Sequence, residues 1–397
     1  MSRGDDIRRR ALEIGFTAVG IGPASPLVEH ERILTERLAR GALAGLDYFR
    51  KERVPLATRP RLLVPEARAV ISLAWAYDGS QPPPPDSGAH GRVAAYARGS
   101  DYHLIIKERL EALVGYLQER VPGVACRAFV DATPILERAL AVRAGLGWFG
   151  KNNCLLTLGH GSWVLLAEVL TSAELEPDPP SIGDCGDCRV CLEACPTGAL
   201  AGPYSHRVAT CLSYLTVECR GSIPAELRPL LGDQLLGCDT CQAACPRNAT
   251  KTRFPATGSE GCARGEAGVG TLTLTLSQRE REQSPEHGLP AWLELAPLFS
   301  LDEAGFRARF AGTAAARAKR AGLLRNAAVV LGNSGDRDGV PALARALLDH
   351  EPLLRGHAAW ALGRLGGRAA RAALEEAANS EPTAQVATEI TAALAGR

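Results

Sequence analysis

No stretch of the 397-residue chain approaches the roughly 20 consecutive apolar residues of a membrane span, which excludes a spanning helix. Charge of a prevailing sign is also missing: 45 Lys and Arg face 44 Asp and Glu, a net of +1, so total charge points to no partner. The start carries Arg8-Arg9-Arg10, and paired arginines can open an export signal. The next residues, Ala-Leu-Glu-Ile-Gly-Phe, include an acid and form no long apolar core. The segment reads as an amphipathic helix and the protein as cytoplasmic.

The most informative absence is one cysteine. Cys185-Gly-Asp-Cys188-Arg-Val-Cys191-Leu-Glu-Ala-Cys195-Pro196 is the bacterial ferredoxin run, in which three thiolates hold one cubane and the fourth turns away to a second. The later run, Cys238-Asp-Thr-Cys241-Gln-Ala-Ala-Cys245-Pro246, has Ala244 where a full repeat would place its third cysteine. Counting ligands gives Cys185, Cys188, Cys191 and Cys245 for one 4Fe-4S cluster. The other has Cys195, Cys238 and Cys241, with Cys211 or Cys219 to complete it. Disulfides inside a C-x2-C pair are strained, and structural zinc takes two ligands from each of two knuckles, so both rivals fit less well. With seven or eight of 12 cysteines given to clusters, a reducing compartment is expected.

Helices are expected over 5–14, 26–40, 101–119 and 134–144, and strands over 16–21, 69–75 and 124–130. Their alternation predicts an α/β layer with a central sheet over residues 1–180, followed by the ferredoxin-like two-cluster region, 181–254. Residues 255–290 are glycine-rich and charged and read as a flexible insertion, with Cys262 a spare thiol and 271–276 a marginal strand. Residues 291–397 read as a basic linker and helical repeats: Ala327-Ala-Val-Val-Leu-Gly332 recurs 31 residues on as Ala358-Ala-Trp-Ala-Leu-Gly363, a HEAT-type spacing. Such arrays bind extended partners or merely brace a neighbouring domain. Arg307, Arg309, Arg317, Lys319, Arg320 and Arg325 span a stretch without one acid, a pattern that fits phosphate contacts or a solvated helix face.

Thiolate-saturated clusters move electrons, so bond chemistry has to sit elsewhere. Asp131 follows an expected strand, where open α/β sheets place ligand crevices, and its competing role is a helix cap before Pro134. Gly145-Leu-Gly-Trp-Phe-Gly150 matches a dinucleotide fingerprint in letters but follows a helix rather than a strand, which argues against one.

Several further motifs complete the pattern: Gly99-Ser-Asp101-Tyr102-His103, Val130-Asp131, Gly147-Trp-Phe-Gly-Lys151-Asn152, Gly161-Ser-Trp163, Cys211-Leu-Ser213-Tyr-Leu-Thr216 and Gly237-Cys-Asp239-Thr-Cys241-Gln. With the cysteine run and Arg325-Asn326-Ala they make the whole chain resemble the epoxyqueuosine reductase family, apart from the 255–288 insertion and the extra Cys219. The resemblance implies cobalamin beside two 4Fe-4S clusters and reduction of epoxyqueuosine to queuosine at the wobble position of tRNAs with a GUN anticodon. It implies Asp131 as proton donor and Cys211 as the missing cluster ligand. Arg59, Leu155, Leu166, Ser213 and Asp239 match cobalamin contacts, Lys151, Asn152 and His103 are pocket residues, and Arg220 faces the tRNA. An external low-potential electron donor and a monomer are expected. Opening an epoxide to an alkene needs two electrons and a proton for the departing oxygen, so Asp131 is expected to be buried beside the corrin and to hold its proton. The rival enzyme is a reductive dehalogenase-like cobalamin protein acting on a small molecule; the rival outside catalysis is an electron-carrying or tRNA-docking scaffold.

Overall fold

The computed structural model describes residues 2–43, 45, 46, 48–131, 134–249 and 288–396. Cys262, the 271–276 alternation and most of the expected 255–290 insertion lie outside the described residues.

In chain order the N-terminal region runs α1 (Arg3–Ile14), β1 (Ala18–Pro23), α2 (Val28–Ala39), α3 (Val54–Thr58), β2 (Ala69–Ala76) and β3 (His90–Val93). It continues with α4 (Tyr102–Arg120), β4 (Cys126–Phe129), α5 (Glu137–Arg143), β5 (Gly147–Phe149), β6 (Leu155–Thr157) and β7 (Val164–Thr171). Ser2 opens α1 with a reciprocal capping box to Asp5, and Gly15 closes it in the left-handed region.

Four strands form the central sheet in the order β1-β2-β7-β4, and every pairing is antiparallel. This corrects the expected crevice at a carboxyl edge, because that rule belongs to parallel sheets. Asp131 instead follows the edge strand β4. Alternation along the strands sorts the two faces. Ile71, Leu73, Ala167 and Val169 pack under Ile7 and Ala11 of α1 and Ile106, Leu110, Leu113 and Leu117 of α4, spaced as one helix face. On the other face Val70, Ala74, Leu166 and Leu170 meet Leu140, Ala141 and Ala144 of α5 and its end. The approach is so close at β1 that a Cβ on Gly20 would lie 2.0 Å from the Ala144 carbonyl oxygen. Two polar residues interrupt this second face: Ser72 and Glu168, cross-strand partners, both fully buried.

The expected regions do not fold as separate beads. β3 pairs with Gln234–Leu236 in parallel and with Trp292–Glu294 antiparallel, so one small sheet stitches all three together. Beyond it the helices Lys319–Ser334, Pro352–Leu365 and Ala384–Ala395 stack in turn around a common core. The recurring glycine explains the repeat. A Cβ on Gly332 would meet Ala361 at 2.9 Å, and one on Gly363 would meet Ala393 at 2.7 Å, so each repeat's glycine admits the next repeat's helix.

Candidate cofactor cleft and cluster thiols

The cysteines gather into two groups. Around Cys191, burial and then the charges of Cys245, Cys185 and Cys188 push the thiol up to about 11. Cys245 is raised by burial and by Cys185 and Cys188 in turn. In the second group Cys238 feels Cys211, Cys211 feels Cys195, and Cys241 feels both Cys238 and Cys211. Thiols close enough to oppose one another's ionisation suit a multi-atom cluster rather than a single ion, for among the described residues no three His, Cys, Asp or Glu side chains converge tightly enough to hold one metal ion. Of the two alternatives for the eighth position, Cys211 lies in the group. Cys219 is turned to the Gly221 carbonyl.

A fifth thiol joins the second group. Cys154 hydrogen-bonds Cys241, and the Asn152 side chain accepts from its backbone N–H at 3.1 Å. The only sequence signal for it was its position after Lys151-Asn152-Asn153.

A cleft with two lobes connects this group to Asp131. One lobe, of about 530 Å³, is lined by Cys154, Cys195, Cys211, Cys238, Cys241 and Ser213 among others. The other, of about 680 Å³, is lined by Asp131, Tyr102, His103, Glu137 and Arg317. Tyr48, Phe49, Tyr96, Leu136 and Arg138 belong to both.

Asp131 has φ of +43°, a strained value for a residue with a Cβ. Its N–H donates to Glu137 Oε1 at 2.6 Å, and Tyr102 Oη donates to its Oδ2. His103 Nε2 stands 3.6 Å from the same oxygen, while His103 Nδ1 is 2.7 Å from Asp101 Oδ1. That bond to Asp101 raises the His103 pKa. Burial, with the Asp131 charge, pushes Tyr102 well above the ordinary phenol value, so it stays a donor. The expected burial of Asp131 itself is not found, for its side chain is 56% exposed. Its carboxyl neighbours are more enclosed, Glu168 fully buried and Glu137 half-buried at the edge of the cleft. Burial and the Asp131 charge push Glu137 up to about 8, and burial raises Glu168 well above the carboxylate range.

Of the other expected cofactor contacts, Asn152 and Ser213 line the cleft and leave the Asn152 Nδ2 buried without a partner. Asp239 is 3% exposed; its Oδ2 accepts from the Ala95 N–H at 2.7 Å, and its Oδ1 is unpartnered. Leu155 and Leu166 are core residues beneath α5, Lys151 donates to the Gly186 carbonyl, and Arg59 grips Glu31. None of these last four lines either lobe.

The basic stretch divides. Arg317 lines the Asp131 lobe and is held by both oxygens of Glu218, and Lys319 is exposed. Arg220 is exposed as well, with its guanidinium on the Val217 and Ala318 carbonyls. Arg320 and Arg325 are corrections. Arg320 is 4% exposed and paired with Asp349, and Arg325 is fully buried, donating to the carbonyls of Cys219, Gly221 and Leu215. Neither guanidinium is free for a phosphate, because its donors are already used inside the fold.

Four thiols at one end of a carboxylate-tipped cleft, with a second group of four outside it, are the equipment of an iron–sulfur oxidoreductase. Residues 58–132 match the family model described as epoxyqueuosine reductase QueG, DUF1730, residues 184–248 a 4Fe-4S double cluster binding domain, and residues 313–395 HEAT repeats. An epoxyqueuosine reductase of Listeria monocytogenes is 35% identical over 96% of this chain and 94% of its own. The chain belongs to the epoxyqueuosine reductase family. An epoxyqueuosine reductase solved with an epoxyqueuosine-modified tRNA-Tyr stem loop superposes with a TM-score of 0.84 at 30% identity, covering 98% of this chain and 97% of that one. The enzyme from Bacillus subtilis, with a catalytic aspartate loop swung out of its active site, gives 0.84 at 29% identity over 98% of both chains.

Proposed function

We propose that the protein reduces the epoxide of epoxyqueuosine, at the wobble position of tRNAs with a GUN anticodon, to queuosine. The observation that carries this reading is the cleft that runs from the Cys195, Cys211, Cys238 and Cys241 group to Asp131. An electron source at one end and a proton donor at the other are what reductive removal of oxygen requires.

The residues fit a cobalamin between those ends. A corrin carries a rim of amides, and the cleft presents buried polar atoms without partners at Asn152 Nδ2, Asn153 Nδ2 and Arg37 Nε. Bound there, cobalamin would supply low-valent cobalt as reductant, fed by single electrons from 4Fe-4S clusters on the eight cysteines and an external low-potential donor. The chain's own work is positioning and protonation. Tyr102 fixes the Asp131 carboxyl, which delivers a proton to the departing oxygen, and His103, tied to Asp101, borders the same space. Arg50, Arg53 and Arg317 at the Asp131 lobe, with Lys319 two residues on and Arg220 bonded to the Ala318 carbonyl, suit the anticodon backbone.

Anaerobic titration of the cluster-loaded protein with cobalamin tests the site. Saturable uptake of one corrin per chain is expected, with the affinity lowered in Asn152→Leu. Two intact clusters without corrin uptake would contradict the reading and favour an electron-carrying scaffold.

A further inference from the structure

Taking the epoxide oxygen out as water breaks two C–O bonds, forms one C=C bond and consumes two electrons and two protons. Asp131 is a single carboxyl and can deliver only one proton at a time. The donor therefore has to be reloaded within a single turnover, while tRNA covers the mouth of the cleft.

The structure puts two more carboxyls behind it. Glu137, the first residue of α5, accepts the Asp131 backbone N–H at 2.6 Å. Glu168, on β7, is fully buried on the sheet face that α5 covers, and neither of its carboxyl oxygens has a hydrogen-bond partner. Its cross-strand neighbour Ser72 is also buried, with its Oγ unpartnered. The opposite strand offers only Phe129. The charged and titratable groups that act on Glu137 are Asp131, Arg138 and His103, and on Glu168 they are Glu137 and Asp131. Arg138 is drawn off to the Asn153 carbonyl. No cation among the described residues pairs with Glu168, so the charged form would meet the full desolvation penalty.

We propose that Glu137, at the edge of the cleft, and the buried Glu168 form a two-carboxyl proton store that reloads Asp131 between the two protonations, an inference that rests on the epoxide-reduction reading. Asp131 gives the first proton as the first C–O bond breaks. Glu137 passes its proton to the Asp131 carboxylate, and Glu168, which shares no hydrogen bond with Glu137 at rest, passes one to Glu137 through a bridging water. Asp131 then gives the second proton, and water leaves. The cycle ends with Asp131 and Glu168 as carboxylates, two protons fewer than at the start, and solvent refills them through the exposed Asp131. Glu137 and Glu168 act through Asp131 and need not touch the substrate. The store also accounts for a glutamate in the middle of a sheet face that is apolar apart from its partner Ser72.

Infrared spectra of the resting, cluster-loaded protein at neutral pH test the store without any turnover. A protonated-carboxyl band that shifts in deuterium oxide is expected, diminished in Glu168→Gln and restored in Glu168→Asp. The pH profile of single-turnover reduction is the second readout. The wild type should hold its rate up to the Glu137 value of about 8, whereas Glu168→Gln, drawing on bulk solvent, should lose about tenfold per pH unit from neutrality. Absence of the band in the wild type, or a Glu168→Gln profile that overlays the wild type, overturns the store while leaving epoxide reduction standing. A band without any reduction of epoxyqueuosine tRNA by the wild type removes the epoxide reading, and the store's role with it.

Discussion

At Asp131 the backbone is bent into a conformation that disfavours side chains, yet the residue is tied at both ends, its N–H to Glu137 and its carboxyl to Tyr102. Strain held by two hydrogen bonds suits a group that must be aimed. Asp131→Asn keeps the shape and loses the acid. Cobalamin and tRNA binding are expected to persist, with turnover down by about 10²–10⁴-fold; full activity in the variant would remove Asp131 as donor. Cys154 carries a different prediction. With Cys241 ligated as thiolate, the Cys154 S–H becomes a donor to a cluster sulfur, and such bonds raise cluster potentials. Cys154→Ala is expected to keep the full iron content and lower the potential of one cluster in a redox titration followed by EPR. Loss of half the iron would make Cys154 a ligand instead. Cluster spacing was legible in the sequence because ligation fixes it locally. Cys154 was not, since its neighbour Cys241 comes from far along the chain, and the exposure of Asp131 depends on packing that no local pattern encodes.

At the level of elements, the basic helix is where sequence and structure part. Arg320 and Arg325 look like phosphate ligands in a stretch without acids, but their partners come from elsewhere: Asp349 from beyond the stretch, and backbone carbonyls of the turn Tyr214–Glu218 and the loop after it. That turn winds wider than an α-helix, and Asn326 donates to its Thr216 carbonyl at 2.8 Å. Breaking the Arg320–Asp349 pair from one side should cost ~3–5 kcal/mol. The repeats, by contrast, were legible, because each glycine answers to a helix one unit on. His357 joins these helices to the cluster region: Nε2 accepts from the Ile223 N–H at 3.2 Å, and Nδ1 is 2.7 Å from the Leu353 carbonyl. Burial, then the nearby Arg228 charge, lowers its pKa to about 3. The unfolded state therefore binds the proton first as pH falls. Stability is full above about pH 6.5 and is lost toward pH 3, at up to about 1.4 kcal/mol per pH unit. Thermal unfolding of the helical region should fall between about pH 7 and about pH 5, and His357→Gln should flatten that dependence. An equal pH slope in the variant would assign the effect elsewhere.

Over the whole molecule, the stitched sheet fixes the cluster region, the helical array and the Asp131 cleft relative to one another. The two-cluster region and the terminal helical repeats were legible, but the antiparallel sheet was not, since a fully buried strand reads the same in either direction. Arg317 belongs to the helical region yet borders the cleft, so a phosphate contact there would tie the proposed tRNA binding to the chemistry. Arg317→Ala should weaken binding of an anticodon stem loop and reduce the salt slope by about one, measured across a salt series. An unchanged slope would place the phosphates elsewhere. The decisive measurement is an anaerobic incubation of the cluster-loaded protein with cobalamin, a low-potential reductant and epoxyqueuosine-bearing tRNA, followed by digestion and mass spectrometry of the nucleosides. Loss of one oxygen atom from the modified nucleoside, and only when cobalamin is present, is the predicted result. Unchanged epoxyqueuosine, with clusters and corrin both bound, would contradict it.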